Sequence, residues 1–197
     1  MNHDEVSPEN PQAASTQRRV ARPVPATLPA VLLADVSDSM NTRDGAQPLR
    51  RIDRLAKVLE YLLTRLSVQA LICFNDLPIE VPLLRRVGLP EPAGSTALHV
   101  ALEHVGTLRP KPLRLIVLSD GMPNSVELAL AWGRVLRPMV IDAYYLGPDA
   151  WERGLRFMAD LAAAAGAGGR SGHFDLVDPV LLGTELHRRL LTGPQGR

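Results

Sequence analysis

Two short polar segments interrupt otherwise apolar stretches of this 197-residue chain. One reads Asp35-Val36-Ser37-Asp38-Ser39-Met40 and directly follows Ala30-Val31-Leu32-Leu33-Ala34. The other, Ser119-Asp120-Gly121, follows the run Leu113 to Leu118, apolar but for Arg114. Asp35, Ser37 and Ser39 alternate, so in an extended or looped segment their side chains can point to one side. A third segment, Gly94-Ser95-Thr96, precedes a helical pattern and offers another hydroxyl. Together Asp35, Ser37, Ser39, Thr96 and Asp120 make an all-oxygen set of two carboxylates and three hydroxyls. Two carboxylates in one crevice repel unless a cation lies between them or one takes up a proton. Oxygen ligands select hard cations (Mg²⁺, Mn²⁺ or Ca²⁺) over Zn²⁺. Neutral hydroxyls leave such an ion with much of its charge, as a Lewis acid ready to take a carboxylate from outside.

The elements that must position these residues follow from apolar periodicity. Ala30–Ala34, Val68–Phe74 and Leu113–Leu118 are apolar on nearly every residue, as strands covered on both faces are. Met139–Leu146 is a further strand and His173–Val177 a weak one. Ile79-Glu80-Val81-Pro82-Leu83 alternates and carries a proline, which predicts an edge strand. It follows its neighbour through a short turn at Asn75-Asp76, so it should run antiparallel. Helical spacing marks Ile52 to Leu66, Leu98 to Val105, Val126 to Leu136, Trp151 to Ala162 and Leu182 to Leu190. Buried strands joined by helices pair in parallel through right-handed crossovers. The expected fold is α/β: a doubly wound, mostly parallel six-stranded sheet with one antiparallel edge strand and helices on both faces. In such sheets ligands bind beyond the carboxyl ends of the strands, where strand order reverses. Both acidic segments sit at such ends.

At these residues the chain resembles the von Willebrand factor A family, which carries a metal-ion-dependent adhesion site. The family's Asp-x-Ser-x-Ser is matched by Asp35-Val36-Ser37-Asp38-Ser39, its distant Thr by Thr96 and its later Asp by Asp120. Cys73-Phe74-Asn75-Asp76, Gly94-Ser95-Thr96-Ala97-Leu98 and Ser119-Asp120-Gly121 are similar to further family segments. Asp38 departs from it, standing where glycine is common, and adds negative charge unless it points to solvent. The resemblance spans roughly Leu28 to Leu191. It implies a Rossmann-like domain over 28–191 that binds an acidic residue of a partner through a Mg²⁺ ion. Size and the run Asp120-Gly121-Met122-Pro123-Asn124 look most like small bacterial intracellular members similar to TerY of tellurium-resistance loci. That likeness implies a kinase, a phosphatase or an ATPase chaperone as partner.

Composition narrows the alternatives. The chain is 46% hydrophobic and 22% charged, which suits one domain with tails. A formal net charge of +1 gives no reason to expect nucleic acid or an anionic membrane as partner. Residues 1–27 and 192–197 are polar, lack apolar periodicity and read as disordered tails. The N-terminus lacks a signal-peptide core, and no apolar run approaches the roughly 18 residues of a spanning helix. A cytoplasmic protein is expected. Cys73 is the single cysteine and lies in an apolar run, which predicts a buried small hydrophobe. The many arginines read as a compositional habit. A Mg²⁺-dependent phosphohydrolase using the same crevice is the alternative function. Against it, Ser37 stands where a second acid would be needed, and the two lysines, Lys57 and Lys111, are not placed for catalysis. No Walker loop or nucleophile elbow is present. Gly169-Arg170-Ser171-Gly172-His173 lacks the last glycine of an elbow. His99 and His104 fall on different helix faces.

Overall fold

The computed structural model describes residues 29–44, 48–147, 152–166, 168–174 and 179–191. The expected tails, Trp151 and Val177 lie outside them. Six strands form one sheet: β1 (Ala30–Asp35), β2 (Val68–Phe74), β3 (Pro78–Val81), β4 (Arg114–Ser119), β5 (Val140–Leu146) and β6 (Ser171–Phe174). Their order is β3-β2-β1-β4-β5-β6. All neighbours are parallel except β2 and β3, where the turn at Asn75–Leu77 folds the edge strand back.

Among the described residues five α-helices cover the sheet: α1 (Arg51–Leu63), α2 (Leu98–Thr107), α3 (Val126–Val135), α4 (Glu152–Ala164) and α5 (Pro179–Leu191). The consecutive apolar residues of β1 explain the two-sided cover. Leu32 and Ala34 join one core with Leu55, Leu59 and Leu62 of α1 and Leu186 and Leu190 of α5. Val31 and Leu33 join the other, with Leu98 and Leu102 of α2, Ala129 of α3 and Leu161 of α4. Each of the four fully buried apolar side chains of α1, Leu55, Val58, Leu59 and Leu62, contributes about 1.5–3 kcal/mol of burial.

Several element ends differ from expectation; β3 ends at Val81, before Pro82 and Leu83, and α5 begins at Pro179. Helix α1 stops at Leu63, and Leu66 reaches the core from the following turn, where its N–H bonds the Leu62 carbonyl. Strand β6 begins at Ser171, two residues earlier than its sequence pattern indicates, because Ser171 and Gly172 pair with Ala143 and Tyr144.

Cys73 is fully buried on β2, and burial, then the nearby Asp35 charge, pushes its thiol up to about 12. A thiolate is the reactive form. Ellman's reagent should therefore leave the native chain unlabelled for hours and label it within minutes in denaturant. Rapid labelling of the native chain would contradict this packing.

Candidate metal centre

The strand order reverses between β1 and β4: from β1 the chain crosses to β2 on one side, and β4 lies on the other. Ala34 is paired with Leu118, so the next residues, Asp35 and Ser119, emerge side by side at the carboxyl ends. The Ser119 hydroxyl donates to Asp35 Oδ2 at 2.5 Å, and the Ser37 N–H donates to Asp35 Oδ1 at 2.8 Å. The second bond is a side-chain turn. It swings the chain into a short 3₁₀ turn, Asp38–Asn41, which carries Ser39 back over the crevice. There Ser37 and Ser39 hydroxyl oxygens are 3.1 Å apart, and Ser39 donates to Asp120 Oδ1 at 2.7 Å.

Thr96 arrives from the third side. Gly94 has φ +70°, and a Cβ on it would lie 2.2 Å from Asp76 Oδ2, so glycine is needed twice over. Asp76 accepts from the Ser95 N–H (3.1 Å) and from the Ser95 hydroxyl. Asn124 grips the other side, accepting from the Thr96 N–H at 3.2 Å and donating its own backbone N–H to the Thr96 carbonyl at 2.9 Å. The Thr96 hydroxyl then faces the Asp120-Gly121 turn, 3.7 Å from where a Cβ on Gly121 would stand. It does not cap α2, whose N-cap is Ala97. All five residues singled out in the sequence thus converge on one crevice. Asp38 is exposed, so water solvates its charge.

Burial dominates the electrostatics of this crevice. Asp35 is fully buried, and burial, then the Asp120 charge, pushes its carboxyl up to about 6 against the hydrogen bonds of Ser119 and Ser37. Such a carboxylate is incompletely neutralised by its neighbours. Among the described residues no three His, Cys, Asp or Glu side chains gather as a metal set. Two carboxylates would therefore need the hydroxyls to complete a shell, and an oxygen-only shell fits a hard divalent cation.

Beside the crevice stands a group that the sequence reading missed. Arg51, the first residue of α1, donates from Nη1 to Asp120 Oδ2 at 2.6 Å. Its Nε and Nη2 hold Asp44 at 2.9 and 2.6 Å, and Arg54 also bonds Asp44. One signal was available: Arg50, Arg51 and Arg54 crowd the start of α1, where the helix dipole disfavours cations. Arginine richness is thus more than composition here. Ser119 and the clamps Asp76 and Asn124 were visible as motif letters, but not as partners of Asp35 and Thr96.

Solved structures share this architecture. The manganese-loaded TRAP protein of Plasmodium vivax superimposes with a TM-score of 0.59 at 19% identity, over 85% of this chain and 74% of that one. A structure of proximal thread matrix protein 1 from the mussel byssus, with a zinc-occupied MIDAS motif, gives 0.61 at 16% identity, over 84% and 46%. The VWA domain of SpRpn10 gives 0.58 at 14% identity, over 78% and 94%. The fold is that of a VWA domain. This chain spans just under half the length of the mussel protein. No protein-family model and no curated protein matches the sequence significantly.

In this VWA fold the two lysines lie away from the crevice. Lys57 is exposed on α1. Lys111 precedes β4 at its amino end, on the rim of an apolar hollow of about 340 Å³ among Trp132, Leu136 and Met139. Among the described residues no helix is long and apolar enough to cross a membrane.

Proposed function

We propose that this chain is a metal-ion-dependent protein-interaction module and not an enzyme. Asp35, Ser37, Ser39, Thr96 and Asp120 would hold one Mg²⁺-type ion, with Mn²⁺ or Ca²⁺ as substitutes. The observation that carries this reading is the convergence of two buried carboxylates and three hydroxyls at the β1–β4 switch point. When bound, the ion supplies an open Lewis-acid position for a partner's Glu or Asp. The chain's own contribution is orientation. Ser119 and the Ser37 N–H fix Asp35, Ser39 fixes Asp120, and the Asp76 and Asn124 clamps fix Thr96. Ser37 stands where a phosphohydrolase would need a second acid, and the cation that does reach the crevice, Arg51, is already bound to Asp120 and Asp44, which supports binding over phosphoryl chemistry. The sequence resemblance to TerY-like members supports a bacterial cytoplasmic setting, with a kinase, phosphatase or ATPase chaperone as partner class.

The test is affinity capture from the native cell with and without Mg²⁺, with Asp120→Ala as control. Capture should need Mg²⁺ and vanish in the variant. In calorimetry Asp120→Ala should weaken Mg²⁺ or Mn²⁺ binding by about 10-fold or more. Capture unchanged in EDTA and in Asp120→Ala would instead make the chain a structural subunit. Turnover of a phosphate ester that disappears in Asp35→Ala would establish the phosphohydrolase reading.

A further inference from the structure

We propose that Arg51 is the resident cation of this crevice: its guanidinium neutralises Asp120 in the metal-free chain, and a divalent ion gains Asp120 at its expense. Arg51 and its tether Asp44 would then set how tightly the site holds metal. The inference rests on the metal-site reading above.

Both carboxylate oxygens of Asp120 are engaged within the chain. Oδ1 accepts from Ser39 and Oδ2 from Arg51 Nη1, at 2.7 and 2.6 Å. The Asp120 side chain is fully buried and that of Arg51 is 15% exposed, so solvent screens this pair little. Helix stability does not explain the position, since a cation in the first turn of α1 opposes the helix dipole. What holds Arg51 there is acidic. Asp44 takes two of its nitrogens, and Asp44 is itself held by Arg54. Among the described residues the network and crevice together contain three carboxylates (Asp35, Asp44 and Asp120) and two guanidinium groups, leaving one net negative charge. Without Arg51 there would be two, which matches a divalent ion. A guanidinium bonded to a metal-site carboxylate repels the incoming ion and lowers the electron density offered to it. Asp44 works the other way. Its charge offsets the guanidinium it holds, and its loss would free Nε and Nη2 to turn toward the crevice.

The experiment titrates Mn²⁺ into the full chain and reads free Mn²⁺ by electron paramagnetic resonance. Arg51→Met should bind Mn²⁺ about 10-fold more tightly than the unmodified chain. Arg51→Lys, which keeps the charge, should stay near the unmodified value. Asp44→Asn should weaken binding, and do so far less when Arg51→Met is also present. A bridge that merely stabilised the fold would give unchanged or weaker binding in Arg51→Met, and that result overturns the proposal. If neither the unmodified chain nor Arg51→Met binds Mn²⁺, the metal-site reading fails and this one with it. A second readout needs no variant: Mg²⁺ should shift the side-chain NMR resonances of Arg51 in the unmodified chain. Resonances that stay in place at saturating Mg²⁺ also overturn it.

Discussion

Replacing Asp142 with alanine is expected to destabilise the fold by about 3–5 kcal/mol, the usual cost of stranding a buried charge. Asp142 lies on β5 and is fully buried. Its Oδ2 accepts from Arg114 Nε at 2.6 Å, and its Oδ1 from the Arg170 backbone N–H at 3.0 Å. Arg114 is 2% exposed and reaches on to the Leu190 carbonyl of α5 at 3.4 Å. One ion pair thus ties β4, β5, the loop before β6 and the end of α5. Alanine would leave the guanidinium in the core without a counter-charge. The reverse change, Arg114→Met, should cost less, about 1–3 kcal/mol, because a carboxyl can take up a proton where a guanidinium cannot lose one. Burial pushes the Asp142 carboxyl up and Arg114 pulls it down, so removing Arg114 eases that protonation. Urea denaturation of both variants and of the double Asp142→Leu, Arg114→Met variant checks this. A double variant as unstable as Asp142→Ala would show that the damage is steric and not electrostatic.

The second large effect should be a gain. In EDTA at pH 7.5, Asp35→Asn is expected to stabilise the chain by about 1–3 kcal/mol. The metal-free folded state holds the Asp35 carboxyl at about 6, against 3.8 for the ordinary group. A raised carboxyl means that the folded state binds the proton more tightly than the unfolded state does. Stability therefore falls as pH rises from about 4 to about 6 and stays reduced above that, by about 3 kcal/mol at most. Asparagine removes the buried charge. Its oxygen can still accept from the Ser37 N–H, while the Ser119 hydroxyl can turn toward the Gly121 carbonyl, now 3.3 Å away. Lost charge-assisted bonding accounts for the smaller net gain. Near pH 4 the two proteins should be equally stable. On the metal-site reading, Mg²⁺ should stabilise only the unmodified chain and reverse their order at pH 7.5. Denaturation curves at both pH values, with and without Mg²⁺, decide it; an Asp35→Asn protein weaker than its parent in EDTA at pH 7.5 would refute the account.

The fold was legible because burial on both faces leaves consecutive apolar residues, and β1, β2 and β4 have them. Strand β6 was harder. It is a four-residue edge strand, and its start is set by backbone pairing to β5, which no side-chain pattern records. The five oxygen residues could be found because they fall where apolar runs stop, and strand ends in a doubly wound sheet converge. Arg51 and Asp44 follow no such rule. Arg51 reaches Asp120 from a helix start, and Asp44 meets Arg51 from a loop, at sequence separations of 69 and 7. The pair Arg114–Asp142 was likewise hidden, since each charge lies inside an apolar strand pattern that does not show which neighbour meets it.

The hydroxyl of Ser119 and the carboxylate of Asp35 meet across 84 positions of chain. That separation fixes when in folding the crevice can exist. Helices and the β2–β3 hairpin close over short distances, but β1 and β4 must wait for a long loop to close, and such contacts form slowly. A chain caught before that step has its serines and its acids but no constellation, and so nothing for a cation to grip. On the metal-site reading, an ion held here would act on the finished molecule. Where the β1–β4 contact is absent from the folding transition state, it would slow unfolding and leave the rate of folding as it was.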